Sequence, residues 1–156
     1  MARRRRAESR TVPPDPKYGS VDVARLVTKV MMCGKKSVAQ SIVYGAMDNL
    51  EKESKRPAAE ALGQALRNAT PLLQVKPRRV GGATYQVPIE VPATRGQAVA
   101  MRWLIDAARA RKGMPMVRKL SAELLDAYKG EGAAVKRRED LHRMAEANRA
   151  FVHYRW

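Results

Sequence analysis

The chain has 156 residues but only one cysteine, Cys33, and two histidines, His142 and His153. A lone cysteine excludes an internal disulfide and any cysteine-based metal centre. Two histidines are too few for most zinc or haem arrangements. Aromatic residues make up 5% of the chain, with a single phenylalanine, so the core must be aliphatic and built from Ala, Leu, Val and Met. No apolar run approaches the roughly 18–20 residues of a transmembrane helix. No apolar segment follows the arginine-rich start, which therefore does not read as a secretory signal. Acidic residues are few, 15 Asp+Glu against 31 Lys+Arg, and the net charge of +16 is far more than solubility requires.

Catalytic signatures are missing as well. The sequence has no phosphate-binding loop, nucleophile elbow or dinucleotide fingerprint. Cys33 and His142 suggest a nucleophile and base only on paper. The simpler reading is an idle thiol beside Gly34 and an exposed imidazole on a basic helix. The carboxylates read as surface counter-charges, with no acid pair set for proton transfer. The expectation is a non-enzyme with no cofactor and no metal. Its partner is polyanionic, nucleic acid first and a membrane surface second.

Length suits one domain with tails. Residues 1–17 read as an extended arm, because Arg3, Arg4, Arg5, Arg6 and Arg10 repel one another and Pro13, Pro14 and Pro16 oppose helix. Free in solution this arm is expected to be disordered. From Ser20 the period is helical: Val23, Leu26, Val27, Val30 and Met31 fall on one face, with Gly34 as the stop. A second helix opens near Ser37, where Ser37 and Gln40 have capping-box spacing, and carries Val38, Ile42, Val43, Ala46, Met47 and Leu50 inward. A third starts at Pro57 and turns Ala58, Ala61, Leu62, Ala65, Leu66 and Ala69 inward.

The period then changes to two, predicting a hairpin at about 72–91 with Gly81-Gly82 at its turn. Thr94 and Gln97 repeat the capping spacing for a fourth helix to about Lys112, apolar on most sides and so expected at the centre. A fifth runs from Pro115 to Gly130. A sixth runs from about Lys136 to Asn148, with Leu141, Met144 and Ala145 inward and Glu139 spaced to pair with Arg143. Residues 149–156 read as a basic, aromatic tail. The expected fold is mainly α: a six-helix body over 18–148 with a protruding two-stranded hairpin.

Three basic clusters stand out. Lys35-Lys36 sits where a helix N-terminus would add its dipole, a pattern that also occurs in ordinary surface turns. Lys76, Arg78 and Arg79 precede the glycine turn, with Tyr85 and Gln86 after it; such a ribbon can reach into a groove. Lys136, Arg137, Arg138 and Arg143 lead into Arg149, Phe151, His153, Tyr154, Arg155 and Trp156, where cations and rings interleave. These rings could stack on bases, pack on the sixth helix or dock on a protein, and the sequence leaves all three open.

The order and spacing of several motifs match a known family from end to end. They are Gly34-Lys35-Lys36, Arg78-Arg79-Val80-Gly81-Gly82-Ala83-Thr84-Tyr85-Gln86-Val87-Pro88, Met101-Arg102-Trp103-Leu104, Met144 through Phe151, and His153-Tyr154-Arg155-Trp156. In these the chain resembles the bacterial form of small-subunit ribosomal protein seven. The stretch Pro92 to Gln97 is less basic than that pattern, and Pro77 stands where the family often has Ser.

The resemblance implies a primary binder of small-subunit ribosomal RNA that attaches to the 3′ major domain and nucleates assembly of the head. It implies a place at the subunit interface near the decoding region, with exit-site transfer RNA and messenger RNA close by. Implied protein neighbours are small-subunit proteins nine and eleven. Expected ribosomal-RNA contacts are Arg3, Arg4, Arg5, Arg6, Arg10, Lys35, Lys36, Lys76, Arg78, Arg79, Arg95, Arg102, Lys136, Arg137, Arg138 and Arg143. Arg79, Gly81, Gly82 and Tyr85 are expected near transfer RNA. Arg149, Tyr154, Arg155 and Trp156 are the expected tail contacts. The implied compartment is the cytoplasm, on the ribosome. No heptad or dimer face marks an obligate homo-oligomer. The alternative is a DNA-binding architectural or regulatory protein, which a basic helical body with a ribbon arm would also suit.

Overall fold

A computed structural model describes residues 11–155. The elements run α1 (Val21–Val30), α2 (Lys36–Ser54), α3 (Ala58–Ala69), β1 (Leu73–Val80), β2 (Ala83–Glu90), α4 (Ala93–Ala110), α5 (Met116–Lys129) and α6 (Gly132–Ala147), then a 3-10 helix, Arg149–Tyr154. The protein is therefore a mainly helical body carrying one antiparallel hairpin, as the periodicities require.

The inward stripes fill the core. Val23, Leu26, Val27 and Val30 of α1 are buried, as are all six residues expected to face inward from α3. α5 packs against α2, α3, α4 and α6 and holds the centre of the body, a place expected for α4. α4 keeps Trp103 partly exposed, and its buried face is narrower than its apolar composition suggests. Gly45 lets α5 approach α2: a Cβ there would meet Val117 Cγ1 at 2.9 Å.

Helix ends depart from the expected positions. α1 stops at Val30, where Met31 turns extended. Cys33 and Gly34, at φ 52 and 72, form the turn into α2, so Gly34 shapes the connection and does not end α1. Ser37 and Thr94 lie inside their helices, and Lys35 and Pro92 hold the cap positions with no side-chain cap bond. The capping boxes do not form; Gln97 Oε1 accepts from Arg25 of α1 at 3.1 Å. α4 ends at Ala110. Val38 and Met144, expected inward, are exposed, and the buried face of α2 begins at Ala39.

α6 begins at Gly132, earlier than the expected Lys136, because a residue of another helix caps it. Glu123 of α5 is 1% exposed. Its Oε1 accepts from the Ala134 backbone N–H at 3.1 Å. Its Oε2 accepts from Arg111 Nη2 at 2.7 Å and Nε at 3.1 Å, and Arg111 also donates to Asp126. Glu123 is thus no surface counter-charge but a buried carboxylate whose charge and oxygens are all satisfied.

The chain is docked from Asp15 onward, within the segment expected to be an arm through residue 17. The buried Asp15 carboxylate accepts from the Tyr44 hydroxyl at 2.8 Å and from the Lys17 and Tyr18 backbone N–H groups. Lys17 and Tyr18 both donate to Asp48 at 2.8 Å. Residues 11–14 form no helix or strand. Arg3, Arg4, Arg5, Arg6 and Arg10, and the arm expected there, lie outside the described residues, as does Trp156.

Candidate nucleic-acid interface

The hairpin pairs Leu73 with Glu90 through Val80 with Ala83 in unbroken register. Gly81 and Gly82 make the turn at φ 57 and 92, the left-handed backbone that a two-residue hairpin loop of this hand requires. Pro77 and Pro88 are tolerated because both strands of a two-stranded ribbon are edges. Side chains alternate across the ribbon. Lys76 and Arg78 therefore share one face and Arg79 takes the other, so cations border both sides of β1. Lys76 and Arg79 are exposed and have no ion-pair partner among the described residues, whereas Arg78 is half-buried.

The tail is not a loose extension. Tyr85 stacks on Tyr154 with ring centroids 5.3 Å apart and meets Phe151 at 5.0 Å. Arg155 reaches Glu90 at 3.3 Å. The C-terminal 3-10 helix thus packs along β2, and of the rings left open by the sequence Phe151 and Tyr154 pack on the hairpin. Tyr85, expected near the tip, lies opposite Arg78 and is occupied by this contact. The residues presented at the tip are Arg79, Gly81, Gly82, Ala83 and Thr84.

Lys35 and Lys36 are exposed at the start of α2, whose first turn carries no acid, so helix dipole and charge add. On α4, Arg95 and Arg102 are seven residues apart on one face, both exposed and without ion-pair partners among the described residues. Arg109 extends the same row by another seven, and Lys29 of α1 shares a cleft with Arg102 and Arg109. At ~1.5 Å per residue the row is ~21 Å long. Sequence reasoning missed Arg109 and Lys29; the 95, 102, 109 spacing was the signal for the first.

The α6 cations divide. Lys136 is exposed and unpaired among the described residues. Arg137 lies 5.4 Å from the centre of the Trp103 ring, a cation–π contact. Arg138 is half-buried and donates to the Asn68 backbone carbonyl and to Glu139, so it ties α6 to α3. Arg143 pairs with Asp140, not with Glu139, and Arg149 pairs with Glu146, both in exposed i,i+3 contacts. Such pairs are weak and yield readily to a stronger anion. His142 was expected to be exposed. It is half-buried, and its Nε2 accepts from the Leu72 N–H at 3.0 Å at the root of β1. Burial, with help from Arg138, holds its pKa below the ordinary imidazole value.

Among the described residues no group of three His, Cys, Asp or Glu is placed to hold a metal, and no helix is long and apolar enough to cross a membrane. Cys33 is a free, exposed thiol. Among the described residues the surface offers an exposed ribbon and several exposed cations without ion-pair partners. Fold and charge define a mainly α-helical protein with a strongly basic surface.

Comparison with known proteins narrows that class. The family described as "Ribosomal protein S7p/S5e" matches residues 2–149. The small ribosomal subunit protein uS7 of Thermotoga petrophila is 60% identical over 154 residues, covering 99% of both chains. That of Dictyoglomus turgidum is 57% identical over 156 residues, covering 100% of both. That of Thermosipho melanesiensis is 58% identical over 154 residues. The chain belongs to the ribosomal protein S7p/S5e family. It is accordingly a structural, non-enzymatic constituent of the small ribosomal subunit.

Proposed function

We propose that this protein binds small-subunit ribosomal RNA directly, at the 3′ major domain, and in doing so nucleates assembly of the subunit head in the cytoplasm. The observation that carries the reading is the set of exposed cations lacking ion-pair partners among the described residues: Lys35, Lys36, Lys76, Arg79, Arg95, Arg102 and Lys136. Left unpaired, they are ready to neutralise phosphates and release counterions, which supplies most of the affinity. Specificity comes from the shape of a folded RNA junction, read by a rigid body and an inserted ribbon.

In this reading the Arg79–Thr84 tip faces exit-site transfer RNA and the messenger path. Proteins nine and eleven of the small subunit are the protein neighbours, and the C-terminal 3-10 helix, already docked on β2, is the surface offered to one of them. The test is a binding titration over a salt series, with the 3′ major domain RNA and a DNA duplex of equal length as ligands. The expected result is a saturable RNA preference that survives near-physiological salt. Equal affinities that collapse together would leave only generic phosphate attraction.

A further inference from the structure

We propose that the cavity between α3, α4 and α6 receives one unstacked base of the partner RNA, an inference that rests on the RNA-binding reading above. The cavity holds about 710 Å³, within the range of small-ligand sites. Its walls include Leu66, Pro71 and Val91, which suit the face of a ring.

Polar groups with unused hydrogen-bonding capacity line the same space. The Thr94 hydroxyl makes no hydrogen bond among the described residues. His142 accepts at Nε2 from the Leu72 N–H, so its neutral ring carries the proton on Nδ1. Nδ1 has no hydrogen-bond partner among the described residues and is not fully buried, and His142 lines both this cavity and the neighbouring one beside Leu73 and Glu90. This N–H can donate to a ring nitrogen or carbonyl oxygen of a base.

Arg67 lines the cavity too, its guanidinium fixed by two bonds to Gln64 Oε1 at 2.7 and 3.2 Å. A fixed guanidinium plane is a stacking surface for a splayed base. An apolar protein side chain would leave the Thr94 and His142 groups unanswered, which is why the occupant is a base.

Gly63 provides the test. It lines the cavity from inside α3, and a Cβ there meets only Arg67 Nη1, at an ordinary 3.6 Å. Gly63→Leu therefore adds bulk at the cavity wall with ordinary room for its Cβ, and helix propensity keeps the melting temperature level or higher. Both proteins are titrated with the 3′ major domain RNA over a salt series. Affinity of the variant should fall about tenfold at every salt, the size of one lost base stack, with an unchanged salt slope because no cation is removed. Wild-type affinity in a folded Gly63→Leu protein overturns the proposal while leaving the RNA reading intact. Failure of the wild type to prefer RNA over duplex DNA overturns that reading itself. As a second readout, the wild-type protein is titrated with each nucleoside monophosphate while the His142 ring resonances are followed. A shift with at least one base is expected, and none with any base would also overturn the proposal.

Discussion

Replacing Glu123 tests how the basic helix α6 is set. Glu123→Ala removes the carboxylate that caps the Ala134 N–H and receives both Arg111 donors. Removing one partner of a buried pair costs about 3–5 kcal/mol. Here Arg111 is 30% exposed and keeps Asp126, which puts the ionic loss at the lower end. The orphaned helix N–H adds about 1 kcal/mol. The expected total is ~3–4 kcal/mol, and at ~2–4 °C per kcal/mol the midpoint drops by roughly 10 °C. Glu123→Gln keeps one oxygen for Ala134 but turns its amide NH2 toward the Arg111 donors, losing both the charge and the Oε2 acceptor, so it should cost about 2–3 kcal/mol, less than Ala by the retained cap. Urea unfolding followed by circular dichroism measures both, and amide exchange at Ala134 reports the cap. An alanine variant within about 1 kcal/mol of wild type refutes the reasoning. So does a Gln variant as damaged as the Ala one, because the cap would then contribute nothing.

Removing single unpaired cations, by Lys76→Ala, Arg79→Ala, Arg95→Ala or Arg102→Ala, should lower the slope of log affinity against log salt by ~0.7–0.9 each for true phosphate contacts, with the melting temperature unmoved. Arg138→Ala should instead lower the melting temperature, because that side chain bonds the Asn68 carbonyl; thermal scans separate the two behaviours. Tyr85→Ala should free the C-terminal 3-10 helix, and trypsin cleavage at Arg149 and Arg155 should quicken severalfold, whereas Tyr85→Phe keeps the ring contacts and should leave it unchanged. His142 has a pKa lowered in the folded state, so the unfolded chain binds its proton more readily. The stability it contributes is whole above the ordinary imidazole pKa and is lost as pH falls through the folded value. The urea midpoint of wild type should therefore drop more between pH 7.5 and pH 5 than that of His142→Gln.

Local signals were legible in the sequence. The glycine turn, the alternation on either side of it and the stripe of α3 depend on residues that are neighbours along the chain, and each formed as read. The family was legible because its motifs are long runs at those same positions. What the sequence concealed was non-local. Nothing near Gly132 announces a helix start, because the cap comes from Glu123 on the preceding helix. Nothing in Arg149–Tyr154 announces a docked helix, because the receiving ring is Tyr85 of β2. Charge counting cannot separate Arg138, bound to a backbone carbonyl, from Lys136 two residues earlier, which is unpaired among the described residues. Half-burial of His142 likewise depends on a strand root met only after folding.

The glycine turn also separates two demands that coincide in nature. A Cβ on Gly81 or Gly82 would touch nothing within 4 Å in the protein, yet both residues hold positive φ. The body therefore asks for handedness at this turn, not for smallness. A chain assembled with D-alanine at position 82 would satisfy that handedness while adding a methyl group. If the finished subunit accepts this mirror-image residue, the glycines serve the bend alone; if the turn survives but assembly fails, it is the neighbouring surface that requires a bare backbone.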